Sequence, residues 1–319
     1  MRRRTLLASA LLAPAARAQG WPDRPLTILV PYGTGGASDL VARVLATRMQ
    51  PALGKPVVAE NRPGGNGEVA SRLLARAAPD GHSFMVGASG IFVINPALRP
   101  TLGYDPLRDF SLITTAVSAP NVLVVNPEAV PATTLEGVLA WLRANPGRAS
   151  YSTSGIGSSH HLTMELFKQL TGTEAVHVPY AGGGAAVTDL IAGTVQLAFL
   201  DLGIVIGAIR GGRLRPIIVS SEARSPVLPE VPTAAEAGLP GFVATSWQGV
   251  AAPAGLPEPL LARLHAEVSA ALRHPETAER LAQTGLTLVL DSPAEFRARV
   301  QAELARWRQV VQRAGISVE

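Results

Sequence analysis

Two patterns of apolar residues alternate along the chain. Short continuous apolar runs, typical of buried strands, are followed by stretches in which apolar residues recur every three or four positions, typical of helices. The first runs cover residues 26–32, 57–62 and 83–89, with helical stretches at 38–49 and 68–78 between them. This order predicts a right-handed βαβαβ unit, and therefore a mostly parallel sheet covered by helices.

The alternation restarts after Asn121, where the run VLVVNP predicts a strand that crosses into a second unit. In that unit the predicted strands are 150–154, 175–180, 196–201 and 214–220. The predicted helices are 135–144, 158–170 and 185–192. A similar run, WQGVAAP from Trp247, predicts the return crossing, and the residues after Pro257 predict three helices, 258–272, 276–283 and 293–314. We therefore expect an α/β fold of two lobes joined by two crossing segments.

Three glycine-rich segments each connect a predicted strand to a predicted helix: PYGTGGASD (31–39), STSGIGSSH (152–160) and PYAGGGAAV (179–187). Glycines leave backbone N–H groups uncovered, and a helix N-terminus adds partial positive charge, so such loops suit an anion. In an α/β sheet they lie at the carboxyl ends of the strands, where ligands bind. None of them contains Lys or Arg, which favours a small carboxylate over a phosphate.

Catalytic and metal-binding alternatives rest on the same loops. Ser154, Ser158, His160, His161 and Asp201 could supply a nucleophile, a base and an orienting acid for an exported hydrolase or isomerase, although no Gly-x-Ser-x-Gly motif is present. His161 and Glu165 have metal-ligand spacing, but two ligands do not make a zinc site. Helix caps and buried histidines are the ordinary explanation of these residues. The absence of cysteine excludes disulfides and thiolate chemistry.

The first 18 residues predict a secretory leader: a basic start, an apolar run from Leu6 to Ala13, and a small-x-small cleavage site ending at Ala18. Its arginines also resemble a twin-arginine signal, and both export routes stay open. The net charge is 28 − 24 = +4, but four of the basic residues lie in this leader, which leaves 24 − 24 = 0 for the rest. The basic balance is therefore no sign of nucleic-acid binding.

The motifs and their order resemble those of the extracytoplasmic solute receptors of tripartite tricarboxylate transporters, the Bug receptors. The resemblance covers nearly all of the mature chain, including WPDRPLTILVPYGTGGASDLVAR (21–43), SGIGSSHHLTMELF (154–167), HVPYAGGGAAVTDLIAGTVQLAF (177–199) and RSPVLPEVPTAAEAGLPGF (224–242). The first loop departs from the family, reading Tyr-Gly-Thr-Gly-Gly where Phe-Pro-Pro-Gly-Gly is usual. Glycine and threonine in place of proline should loosen this loop and leave the identity of the ligand open.

The resemblance implies a two-lobe periplasmic binding protein of the type II-like, Venus flytrap class. Lobe 1 would comprise residues 22–122 and 248–319, and lobe 2 residues 123–247. Such a receptor captures a small organic carboxylate and delivers it to a membrane permease. It is not an enzyme, needs no cofactor or metal, and is expected to be a monomer. A ligand-sensing domain for another partner is a further alternative.

The ligand contacts that the resemblance implies come from both lobes. In lobe 1 they are Tyr32, Gly35, Gly36, Ser38, Asp39, Ser89 and Asn95. In lobe 2 they are Ser154, Gly155, Gly157, Ser158, His160, Tyr180, Gly182, Gly183 and Asp201. Asp39 fits a helix cap better than a ligand contact, because two carboxylates repel each other.

Overall fold

A computed structural model describes residues 20–99 and 101–316. The predicted leader and its cleavage site lie outside the described residues. The strands are β1 Leu26–Val30, β2 Val57–Asn61, β3 Ser83–Ala88, β4 Phe110–Val125, β5 Ser150–Thr153, β6 Val176–Pro179, β7 Leu197–Asp201, β8 Arg215–Val219, β9 Thr245–Pro253 and β10 Thr287–Leu288. The helices are α1 Ala37–Leu53, α2 Glu68–Ala75, α3 Asn95–Leu98, α4 Leu135–Ala144, α5 Ser159–Thr171, α6 Gly183–Ile191, α7 Leu202–Arg210, α8 Glu258–Arg273, α9 Pro275–Gln283 and α10 Pro293–Ala314.

Local sequence signals set several of these boundaries. Helix α10 begins at a capping box, in which Ser292 accepts from the Glu295 N–H and Glu295 accepts from the Ser292 N–H. Helix α4 begins after Thr134, whose hydroxyl accepts from the Gly137 N–H at 3.2 Å. Both helices have the bounds that the sequence predicts. Most of the other predicted elements are displaced by only a few residues.

All ten strands form one sheet, with the path β2-β1-β3-β9-β4-β7-β5-β6 and with β8 and β10 paired to β4. Its two flanks, β2-β1-β3 and β7-β5-β6, have parallel pairing. The centre is antiparallel, because β4 and β9 run in opposite directions between the flanks. The expectation of a mostly parallel sheet is therefore wrong at the centre.

The two predicted crossing segments are the two central strands. Strand β4 is 16 residues long, and the sequence predicted only its end, because Ser and Thr interrupt the apolar residues in its first part. Positions 110–120 pair with β9, and positions 121–125 pair with β7 and β8. The strand therefore changes partners within one element, and this change joins the two halves of the sheet.

Helix α10 covers the centre of the molecule. Phe296 on this helix packs against Phe92 and Trp247, with ring centroids 5.5 Å apart in each pair. The indole N–H of Trp247 donates to Glu303 on the same helix at 3.0 Å, and burial raises the pKa of that carboxyl. Near its end, the backbone of Val310 accepts from the Gln169 side chain of α5 at 3.0 Å. The helix therefore contacts elements of both halves.

We expect Trp247→Ala to lower the free energy of unfolding by roughly 3–5 kcal/mol, the usual cost of emptying a buried aromatic site. The side chain is fully buried, and its loss also removes a donor from the buried Glu303. Urea unfolding measures the change. Val58→Ala is the control, because Val58 is 53% exposed and should cost less than about 0.5 kcal/mol. Equal stability of the two variants would contradict this account of the core.

Candidate functional site

The first glycine-rich loop is held by Asp39. Its Oδ2 accepts from the Gly35 N–H at 3.0 Å and from Arg43 Nε at 2.9 Å, while Oδ1 accepts from Asn61 Nδ2 at 3.0 Å. The hydrogen bond from Arg43 is the main cause that lowers the pKa of Asp39 to about 2. Both oxygens have partners within the loop and its surroundings, so we expect Asp39 to position the loop rather than contact a ligand.

A cavity of about 530 Å³ lies between the two halves of the sheet. The first loop contributes Gly35 and Gly36 to its wall, and the end of β7 contributes Asp201. The other lining residues are Ala37, Leu40, Ala119, Gly203, Ile204, Ile206, Ser246, Gln248, Gln283, Thr284 and Leu286. The volume is within the range of small-molecule sites.

Gln248 and Ser246 on β9 are lining residues that the sequence reasoning missed. Gln248 Oε1 accepts from the hydroxyl of Ser38 at 2.5 Å, which places the amide group beside the start of α1. The sequence contained a signal for Gln248, because it is a polar residue within the otherwise apolar run WQGVAAP. Ser38 itself is buried and supports Gln248 without lining the cavity.

The second glycine-rich loop leads into α5, and Ser158 caps that helix by accepting from the His161 N–H at 3.2 Å. Gly155 and Gly157 have φ values of 126° and 72°, which favour glycine. A cavity of about 100 Å³ joins this loop to the first half. Its lining residues are Asn66, Asn95, Leu98, Arg99, Ser154, Ile156, Gly157 and Ser158.

Asn66 and Arg99 were also missed. Asn66 Nδ2 donates to Asn95 Oδ1 at 2.9 Å, and Arg99 pairs with Glu68 at 3.2 Å. The motif ENRPGGNG contains Asn66 and was a usable signal. Arg99 gives the smaller cavity a basic side chain, which none of the three glycine-rich loops provides.

His160 connects the second loop to the end of β7. Its Nδ1 lies 2.8 Å from Ser154 Oγ, and its Nε2 lies 3.3 Å from the backbone N of Asp201 and 3.4 Å from Asp201 Oδ1. Burial works against ionisation of Asp201, but His160 and Ser246 beside it lower its pKa below the usual range. In a serine hydrolase triad the serine contacts Nε2 and the acid contacts Nδ1. Here the two contacts are reversed.

His161 lies on another side of α5 and packs away from Asp201. Its ring stacks on His177 with centroids 3.9 Å apart, and His177 stacks on Tyr151 at 5.0 Å. His161 Nδ1 accepts from the Gly157 N–H at 3.2 Å, so the ring supports the second loop.

Over residues 20–99 and 101–316, no group of three or more His, Cys, Asp or Glu residues has an arrangement that could hold a metal ion.

The third glycine-rich loop does not line the larger cavity but packs against Ile204, a residue of its wall. The Tyr180 hydroxyl donates to Asp189 at 2.7 Å, and burial is the first cause that raises its pKa to about 12. A Cβ at Gly183 would lie 2.7 Å from Ile204, which itself lines the cavity, so glycine permits this close packing.

The structure therefore divides the 16 expected ligand contacts into three groups. Gly35, Gly36 and Asp201 line the larger cavity. Asn95, Ser154, Gly157 and Ser158 line the smaller one. The others line neither cavity; they are Tyr32, Ser38, Asp39, Ser89, Gly155, His160, Tyr180, Gly182 and Gly183. Among this last group burial raises the pKa of Tyr32, so its hydroxyl stays protonated.

The sequence profile of the "Tripartite tricarboxylate transporter family receptor" family matches residues 41–316. The chain belongs to this family. Protein BugT of Bordetella pertussis (strain Tohama I) is 34% identical over 98% of this chain and 96% of its own length. A UPF0065 protein of Pseudomonas sp. (strain P51) is 37% identical over 97% of this chain and 94% of its own.

Solved structures agree with the family and with the fold. Rpa4515 of R. palustris, solved with adipate, has a TM-score of 0.82 at 36% identity, over 93% of this chain and 99% of its own. MatC of Rhodopseudomonas palustris, solved with malate, has a TM-score of 0.78 at 34% identity, over 91% and 100%. The periplasmic binding protein BugD has a TM-score of 0.78 at 31% identity, over 94% and 100%. The predicted two-lobe binding-protein fold is confirmed.

The family consists of solute-binding receptors, so the chain is a receptor and not an enzyme. The hydrolase or isomerase alternative based on His160 and His161 is therefore wrong. No helix among the described residues is both long enough and apolar enough to span a membrane.

The stacked histidines should make stability depend on pH. Burial, followed by the charge of His161, lowers the pKa of His177 from 6.5 to about 4. The unfolded chain then binds a proton at this histidine more readily than the folded chain does. The contribution of His177 to the free energy of unfolding is therefore complete above about pH 6.5 and is lost as the pH falls toward 4. We expect His177→Phe to reduce this fall, measured as unfolding free energy at several pH values.

His274→Phe is the matched control, because His274 is exposed and lies outside the stack. It should leave the pH dependence as in the wild type. If His177→Phe also keeps the wild-type dependence, the stack does not carry it.

Proposed function

We propose that the chain is a periplasmic receptor that closes two lobes on a small organic carboxylate and delivers it to a membrane permease of the tripartite tricarboxylate type. The observation that carries the proposal is the cavity between Gly35 and Gly36 on one side and Asp201 on the other. Residues from distant parts of the sequence meet there, so ligand contacts from both sides would stabilise the closed arrangement.

Two helix N-termini support the choice of an anion. Gly36 precedes α1, which has 17 residues, and Ser158 precedes α5, which has 13. The first N–H groups of a helix lack partners within it and attract negative charge. Gly36 and Ser158 line the larger and the smaller cavity respectively. The relatives solved with adipate and malate bind molecules that carry two carboxylates, which supports the same class here.

The proposed lobes are residues 22–122 with 248–319, and residues 123–247. The bending point would lie where β4 changes partners, between Pro120, which pairs with Thr245, and Asn121, which pairs with Asp201. Away from that point the lobes meet at Gly203, where a Cβ would lie 2.6 Å from the carbonyl oxygen of Thr284. So close a contact fits a closed arrangement, and a glycine there allows it.

Export, partner and oligomeric state complete the proposal. The leader over residues 1–18, cleaved after Ala18, would bring the chain to the periplasm, where BugD is described as acting as a binding protein. The closed lobes would present one continuous surface to the permease subunits. The receptor would act as a monomer, without cofactor or metal.

Gly36→Asp and Ser158→Asp test the anion site. Neither should harm the fold, since a Cβ at Gly36 meets no atom within 4 Å and Asp is itself a good helix cap. Each places a negative charge where the ligand carboxylate would lie, so affinity should fall at least about tenfold for each variant. Calorimetry against mono-, di- and tricarboxylates gives the measurement.

Gln301→Glu is the control, because it adds one negative charge at an exposed position of α10. It should bind as the wild type does. Wild-type affinity in both Asp variants would refute the anion site, and a wild type that binds no carboxylate would refute the proposed function.

A further inference from the structure

Asp201 is the one charged side chain among the described residues that line the larger cavity. The cavity therefore contains a carboxylate and no basic group, although the proposed ligand is itself an anion. The end of β7 places Asp201 there, directly before the first turn of α7. A negative wall in a site for a negative ligand needs a physical reason.

The carboxyl group of Asp201 is incompletely paired. Its Oδ1 is buried and accepts no hydrogen bond from a described residue. The nearest ring nitrogen, His160 Nε2, lies 3.4 Å from Oδ1 and 3.3 Å from the backbone N of Asp201. One ring nitrogen cannot serve both: without a proton it accepts from the backbone N–H, and with a proton it leaves that N–H unpaired. When that nitrogen has no proton, Oδ1 has no donor, and the Ser246 hydroxyl is the other hydrogen-bonding group beside the carboxyl.

The same carboxyl is accessible from the cavity. The side chain is 31% exposed, and because Oδ1 is buried, this surface belongs to Oδ2 and the adjoining carbons. Desolvation of an ionised carboxylate without a donor is costly. A ligand that closes the cavity removes the remaining water, so it must supply a donor in place of that water or lose affinity.

The remaining lining residues show where the rest of a ligand could lie. The Oε1 of Gln248 is taken by Ser38, which leaves its amide N–H groups to donate to a ligand carboxylate near Gly35 and Gly36. Four other lining side chains are apolar: Leu40, Ile204, Ile206 and Leu286. The cavity thus offers amide donors, one acceptor with negative charge, and apolar surface for the carbon atoms of a ligand.

We propose that the ligand is a carboxylic acid that also carries a protonated amine, with its carboxylate at the Gly35–Gly36 side and its ammonium group against Asp201. The inference rests on the proposed receptor function and deepens it. The ammonium group donates to Asp201 Oδ2 and neutralises the negative wall. An amine-free acid leaves that carboxylate desolvated, with a negative charge that only the neighbouring His160 and Ser246 offset.

Matched ligand pairs that differ by one amine provide the test: succinate with aspartate, adipate with 2-aminoadipate, and hexanoate with 6-aminohexanoate. Calorimetry at neutral pH gives each dissociation constant for the wild-type protein, Asp201→Asn and Asp189→Asn. Asp189→Asn is the control, because it removes the same charge from a residue that contacts Tyr180 and does not line the cavity.

In at least one pair the dissociation constant of the wild type should be about tenfold lower, or more, for the member with the amine than for the amine-free member, as expected for a hydrogen bond between charged groups. Asp201→Asn should remove most of this preference, and Asp189→Asn should keep it. A role of Asp201 only in holding His160 would lower both affinities of a pair by the same factor, and that result would overturn the inference.

Two further results separate this inference from the receptor function. If the wild type binds the amine-free acids as tightly as their amino counterparts, or more tightly, the inference is overturned and the carboxylate receptor stands. If no member of any pair binds, the inference is overturned, and the receptor function is overturned with it only when the wild type also binds none of the other mono-, di- and tricarboxylates.

Discussion

The antiparallel pairing of β4 with β9 is the constraint on which the rest of the structure depends. Strand β4 leaves β9 after Pro120 and continues beside β7 and β8. Buried polar groups secure this point: Asn121 Nδ2 donates to the carbonyl of Ala244 at 2.9 Å, and Ser220 Oγ accepts from the Asn121 N–H at 3.0 Å. One continuous sheet therefore carries the glycine-rich loops of both halves and holds them on either side of the larger cavity.

Glycine backbone from the loops and side chains from the neighbouring strands and helices together line the two cavities. The charged and aromatic side chains of the site mostly hold the loops in place: Asp39 ties the first loop, and His160 and His161 tie the second. Loops held in this way are ordered before a ligand arrives, which lowers the entropic cost of binding. Asp201 and Gln248 differ from these residues, because they line the cavity itself.

The strength of local signals explains how much could be predicted from the sequence. Helices α4 and α10 were predicted with their bounds from the helical spacing of their apolar residues, and the structure adds capping residues at Thr134 and Ser292. The antiparallel centre was missed because strand direction is set by pairing between Phe110 and Pro253, which are far apart in the sequence. The glycine-rich loops could be found as motifs, but Gln248 and Arg99 reach the cavities only through tertiary packing.

A distance measurement between the two ends of the sheet tests the central claim, that ligand binding draws two lobes together. The chain has no cysteine, so Val58→Cys and Val176→Cys, at exposed sites on β2 and β6, would carry the only two spin labels. Titration with a carboxylate that binds in calorimetry should move the distance distribution between the labels toward one narrower, shifted population. The ligand concentration at the midpoint of this change should agree with the calorimetric dissociation constant. Saturated binding without any change in the distribution would contradict the claim.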